Sequence, residues 1–249
     1  MNDASQSYLI KYSRRKTVGL YVSAEGLEVR APYGTSKAWI QSFVDSKRHW
    51  IARNLQKAVT KHAQKPQVKL NQPLPFLGEP LILRLQVIKA PLTYHKALIS
   101  DDALTFYVAE KSWLRFSAKY PQEYEETLKE LFLSNLITEY LKQLAAEVIS
   151  ARVNYYADIS GLKKRITEIR FRKTKTKWGH CSSQGQLQFN WLLASAPMEV
   201  IDYVVCHELA HLVEMNHSER FWQQIANLYP DFIQPRLWLK QNGHTLSFL

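Results

Sequence analysis

From Val200 to Val213 the chain is apolar almost without interruption, yet the run carries His207, Glu208 and His211. A helix that is apolar nearly all the way round belongs inside a fold. Two imidazoles and a carboxylate are costly there unless they are paired or bound to a metal. The spacing answers that cost. On an α-helix, positions i and i+4 lie one above the other on the same face, so His207 and His211 can reach one ion. Glu208 is turned to the side, toward a water on that ion. Zinc takes imidazole ligands readily and in catalytic sites keeps one position open for water. It acidifies that water, and the glutamate takes the proton. The pattern predicts His207 and His211 as zinc ligands and Glu208 as the catalytic base. The plainer alternative is a pair of core histidines bonded to backbone carbonyls.

A third ligand is required. His217 lies six residues past His211, just after Asn216, a residue type that often ends helices. A helix stopping near Asn216 turns His217 back toward the ion. Glu214, one helical turn beyond His211, is the other candidate. The spacing matches the metzincin pattern, but Glu214 stands where that pattern needs glycine, and no methionine follows His217. The chain is therefore not a metzincin. Glu199, Asp202 and Asp231 are candidates to orient the ligating imidazoles.

Around this helix the periodicity predicts an α+β chain. Val18, Leu20 and Val22, then Leu27, Val29 and Ala31, alternate about a turn at Gly26, as in a β-hairpin. Apolar residues from Trp39 to Leu55 recur at three- and four-residue steps, predicting one helix over about 35–64. Strands are expected over 81–88, 97–99 and 104–108, and a long amphipathic helix from about Pro121 to Val153. Strands over 166–172 and 185–193 precede the histidine helix, and two short helices follow it. This order predicts a β-rich N-terminal module with one long helix, residues 1–115, and a catalytic module over 116–249.

Among 249 residues, 33 Lys and Arg face 22 Asp and Glu, a formal charge of +11. Such a surplus attracts nucleic acid, nucleotides or acidic surfaces in general. It is densest between Lys163 and Lys177, where eight basic side chains accompany the single acid Glu168. The N-terminus has no apolar run like a signal peptide, and no stretch approaches 18 uninterrupted apolar residues. A cytoplasmic protein without membrane attachment is expected. The two cysteines, Cys181 and Cys206, are too few for a disulfide framework and are expected to be reduced.

Several stretches resemble one known family, the YgjP-like metal-dependent hydrolases. They are Trp178-Gly179-His180-Cys181-Ser182-Ser183, Tyr203 to Leu212, Asn216-His217-Ser218 and Phe221-Trp222. Ser13 to Thr17, Ala31-Pro32, Trp50-Ile51 and Leu77-Gly78 fit as well. That family is grouped with gluzincin-type zinc metallopeptidases, beside the SprT-like and WLM families. The resemblance implies a zincin-like catalytic module, zinc held by His207, His211 and His217, Glu208 as base, and a bacterial cytoplasmic setting. It leaves the substrate open, since both peptidase and nucleotide-hydrolysing roles attach to the family.

Two features bear on substrate. Leu187, Phe189, Trp191 and Leu193 alternate with Gln186, Gln188 and Asn190, so an extended peptide could pair along this strand with Asn190 in contact. Arg172, Lys175 and Lys177, with Trp178 beside them, could instead clamp phosphates. The expected activity is zinc-dependent peptide hydrolysis. The alternatives are a nucleoside triphosphate pyrophosphohydrolase, acting for instance on UTP, and a nucleic-acid-associated protease or binding module using the basic surface.

Overall fold

The computed structural model describes residues 8–91 and 95–249. The chain forms two compact units, one up to Lys65 and one from Pro66 to Leu249.

In the first unit, β1 (Leu9–Ser13), β2 (Gly19–Ser23) and β3 (Gly26–Pro32) form a sheet in the order β1-β3-β2. The expected hairpin is β2 with β3, antiparallel about Gly26, and β1 joins the far side of β3 in parallel. The single helix expected over 35–64 is two helices, α1 (Lys37–Ser46) and α2 (Arg48–Ala63). The break is at Lys47, whose N–H bonds to the Val44 carbonyl three residues back instead of four. Ser36 caps α1 by accepting from the Trp39 N–H. Val29, Ala31, Ile40, Val44 and Ile51 close the core of this unit, while Trp39 stays exposed.

The second unit opens with β4 (Pro73–Phe76), β5 (Glu79–Ile88), β6 (His95–Ser100) and β7 (Ala103–Ala109), ordered β4-β5-β7-β6. The short α3 (Glu110–Ser117) and the 35-residue α4 (Glu125–Ile159) follow. A second sheet, order β8-β10-β9, is built from β8 (Glu168–Phe171), β9 (Gly179–Cys181) and β10 (Gln186–Phe189). After the 3-10 helix Trp191–Ser195 come α5 (Met198–Ala210), α6 (Glu219–Leu228) and α7 (Ile233–Asn242).

The division at Lys65 replaces the expected one near residue 115, and the packing gives the reason. Leu83, Leu104 and Phe106 of the first sheet share one core with Leu133, Ile137 and Leu141 of α4, and with Leu193 and Val200. Phe76 and Phe106 both set ring edges against Tyr140, at 5.7 and 5.9 Å. The β4–β5 turn is itself docked. Leu77 and Gly78 adopt φ of 51° and 88°, the two positive values of a tight hairpin turn. The Leu77 N–H then donates to the Ala194 carbonyl at 2.8 Å. A side chain at Gly78 would collide with Pro197. A change from strands to helices along the sequence does not mark a domain edge when both line one core.

Candidate metal centre

Burial of α5 follows from its sequence: Val200, Ile201, Val204, Val205, Cys206 and Leu209 are all essentially inaccessible. Its last turn brings His207 and Glu208 to one end, and His211 is the C-cap. The helix stops earlier than the expected Asn216. After Ala210 the chain tightens, with Leu212 and Val213 N–H groups bonding three residues back. Asn216 Oδ1 accepts from the Ser218 N–H, and Ser218 in turn caps α6. The turn between the two helices carries His217 back.

The side-chain nitrogens of His207, His211 and His217 lie within 4.8 Å of one another, and His207 Nε2 is 3.2 Å from His217 Nε2. Both histidines can turn a lone pair toward one cation placed between them. His211 Nδ1 donates to the Glu214 carbonyl at 3.1 Å, which leaves its Nε2 free as a ligand atom. Glu214 thus contributes its backbone, and its carboxylate is not part of the cluster. Burial, reinforced by the other histidines and Arg236, pushes His207 down to about 3, and burial also lowers His211. Neutral imidazoles are what a divalent metal requires. The residues fit a zinc ion in number and type. Among the described residues His207 Nδ1 is buried with no hydrogen-bond partner, so packing sets that ring. The packing comes from Phe221, fully buried, which lies 4.9, 4.5 and 4.6 Å from the rings of His207, His211 and His217. Phe221 is a shared floor for the three imidazoles.

Glu208 is 4% exposed. Burial pushes its carboxyl up to about 8, with Lys177 pulling the other way. The space beside it exists because residue 179 is glycine: a Cβ there would overlap the Glu208 carboxylate. Gly179 lies on β9, antiparallel to β10 and at the edge of its sheet.

Other expected site residues fall differently. The strand over 185–193 ends at Phe189, and β10 is the central strand, paired with β8 on one side and β9 on the other. It cannot accept a peptide; the edge strands of this sheet are β8 and β9. Asn190 is 3% exposed and fully engaged: Oδ1 accepts from the Leu192 N–H, Nδ2 donates to the Thr174 carbonyl, and its N–H donates to the Trp178 carbonyl. These bonds pin the basic loop. Lys175, Lys177, Trp178 and Asn190 line a polar cavity of about 210 Å³ closed by Gly243 and Ser247. Lys177 and Lys175 are exposed, and Trp178 is half-buried with its indole against Gly243. Arg172 is exposed; Arg170, paired with Glu168 at 2.6 Å, lowers that carboxyl, and the charge of Arg172 adds to the effect. Among the described residues Asp202 bonds to no histidine. It forms a bidentate pair with Arg152 of α4, Nη2 to Oδ2 at 2.8 Å. Glu199 and Asp231 line a separate cavity with Tyr229 and Trp238.

Sequence reasoning did not single out Gly179, Phe221 or Arg236 for the site. Gly179 and Arg236 lie far in sequence from the Glu208 and Trp222 they adjoin, or on another element, and Phe221 reads in the sequence as an ordinary apolar helix residue.

Among the described residues no helix is long and apolar enough to cross a membrane. The description of the family whose model matches residues 16–242 is YgjP-like, metallopeptidase domain. A curated relative, UTP pyrophosphatase of Escherichia coli (strain K12), is 25% identical over 123 residues. That match takes in 48% of this chain and 66% of the relative, just under two thirds of its length. Two solved structures are also similar. The metallopeptidase zymogen of Pyrococcus abyssi abylysin gives a TM-score of 0.34 at 23% identity, over 37% of this chain and 93% of its own. That of Methanocaldococcus jannaschii jannalysin gives 0.34 at 22%, over 38% and 95%.

Proposed function

This chain belongs to the YgjP-like metallopeptidase-domain family, and on that premise we propose that it is a zinc-dependent hydrolase with Glu208 as general base and His207, His211 and His217 as the metal ligands. The observation that carries the reading is the convergence of three imidazoles beside a buried carboxylate. A zinc ion held there would supply Lewis acidity to the bond being cleaved. Glu208, whose burial raises its proton affinity, takes a proton from the attacking water; a base with a pKa near the working pH is the effective one. Gly179 keeps that carboxylate's approach clear.

On substrate, the reading is hydrolysis of a nucleoside triphosphate to the monophosphate and pyrophosphate. The attacking water forms the new P–O bond, the anhydride P–O bond breaks, and the proton taken by Glu208 is passed on to the products. Lys177, close enough for its charge to act on Glu208, supports a multiply charged anion at this site. So does the similarity to a protein called UTP pyrophosphatase. Peptide hydrolysis is the second reading, favoured by the edge position of β9 next to Glu208, where an extended chain could add as a strand.

The test is Glu208→Gln with zinc content measured alongside. Loss of general-base catalysis lowers kcat on the order of 10²- to 10⁴-fold while zinc stays bound. UTP and a mixed peptide library, offered to the same zinc-loaded preparation, separate the two substrate readings. Full activity in Glu208→Gln would remove the assigned base.

A further inference from the structure

Arg236 is the fourth residue of α7 and exposed, and among the described residues it makes no ion pair. Its guanidinium carbon lies 4.2 Å from the centre of the Trp222 ring. That indole is held by its neighbours: Phe232 stacks on it at 5.9 Å and 18°, and His217 stacks on it at 6.0 Å and 26°. The His207 ring is 6.3 Å from the same indole. The guanidinium therefore rides on an aromatic stack that includes one metal-site histidine and borders another.

Two features set this arginine apart from a residue that merely covers a tryptophan. First, it stands in the first turn of a helix, where the dipole is positive and a cation is unfavourable, and that turn contains no acid to compensate. Second, the close contact with the indole restrains the guanidinium, and among the described residues its N–H fork has no carboxylate partner. A rigid fork of five donors matches the oxygens of a phosphate in bidentate fashion. Its conformational freedom is already reduced before any ligand arrives.

We propose that Arg236, carried on Trp222, is a specificity-determining residue that binds a phosphate group of the substrate beside the histidine cluster. The inference rests on the phosphoanhydride reading of the site for its substrate, but not for the existence of the anion clamp. Arg236 works with Lys177: the loop before β9 brings one cation toward Glu208, and α7 brings the other toward His207.

The experiment uses the full-length zinc-loaded protein and two readouts. One is steady-state UTP hydrolysis. The other is calorimetric binding of inorganic phosphate, which needs no turnover. For Arg236→Ala the expected result is a KM for UTP and a Kd for phosphate each raised at least tenfold. Zinc content and thermal midpoint stay unchanged, and kcat stays within about threefold. Arg236→Lys, which keeps the charge but not the fork, recovers part of the loss. If Arg236→Ala lowers the thermal midpoint, Arg236→Gln, a planar uncharged substitute, replaces it. A wild type that binds phosphate through Arg236 yet leaves UTP intact keeps the clamp and removes the pyrophosphohydrolase reading. Phosphate binding that is absent in wild type, or equal in wild type and variant, overturns the clamp whatever happens to UTP. Arg236-dependent binding of N-acetylaspartate without binding of phosphate overturns the phosphate assignment.

Discussion

A methyl group at position 179 would occupy space that the Glu208 carboxylate now fills. Gly179→Ala is therefore expected to displace the base while leaving the three histidines in place. The expected outcome is a fall in kcat of about 10²-fold or more with unchanged zinc content, the lower end of what a general base contributes. A variant with normal kcat would show that the carboxylate has room elsewhere. The cysteines make a second residue-scale case. Both are buried and unbridged, and burial, with Glu208 adding, pushes the Cys181 thiol up to about 11; burial raises Cys206 as well. The sign follows from linkage. A folded-state pKa above the unfolded one favours the native state fully below the unfolded value, near 8.5, and that contribution is lost as pH rises toward about 11. Neither thiol should react with a disulfide reagent at pH 8 until the protein unfolds, and stability to urea should fall between about pH 9 and pH 11. Rapid labelling of native protein at pH 8 would contradict this.

Between elements, α4 and α5 are joined by Arg152 and Asp202 through two hydrogen bonds in a mostly buried setting. Removing one partner strands the other's charge. Because Arg152 keeps 30% of its side-chain surface, Asp202→Ala is expected to cost on the order of 2–4 kcal/mol, at or below the range for a fully buried pair. Urea unfolding measures this, and zinc content should not change. A loss of zinc at unchanged stability would instead make Asp202 a partner of the metal site. The sequence offered Asp202, with Glu199 and Asp231, as a carboxylate that could orient the ligating histidines. What it could not display was Arg152, fifty positions away. The 185–193 strand was misread for a related reason. Alternation of apolar and polar residues marks a half-buried strand but not its place in a sheet, so β10 reads the same whether central or edge. Its apolar continuation through Trp191 and Leu193 is a 3-10 helix buried throughout.

At the scale of the whole molecule, His207, Glu208, His211 and His217, with Phe221 and Gly179 that position them, all lie in the unit from Pro66 to Leu249. That unit has its own core. A fragment spanning 66–249 is expected to fold and to bind about one zinc, as measured by circular dichroism and elemental analysis. A fragment starting at 116 would lose Leu74, Leu83, Leu104 and Phe106 from the same core and is expected to be unfolded or aggregated. A stable, zinc-loaded 116–249 fragment would restore the boundary drawn from composition.

The sequence by itself determined the α+β class, the buried helix and the two histidines with their intervening glutamate, because period and spacing are local and the cost of burying polar groups leaves few ways to satisfy them. The 10-residue separation between His207 and His217 was legible as a turn signal at Asn216, though with Glu214 as a rival. Tertiary structure alone decided that the Glu214 backbone orients His211, that Phe221 floors the site, that Asn190 is a structural pin, and that Gly179 and Arg236 stand beside the chemistry. Each of these depends on which surfaces meet when distant segments pack, and packing is fixed by the sum of many contacts that no short window of residues contains.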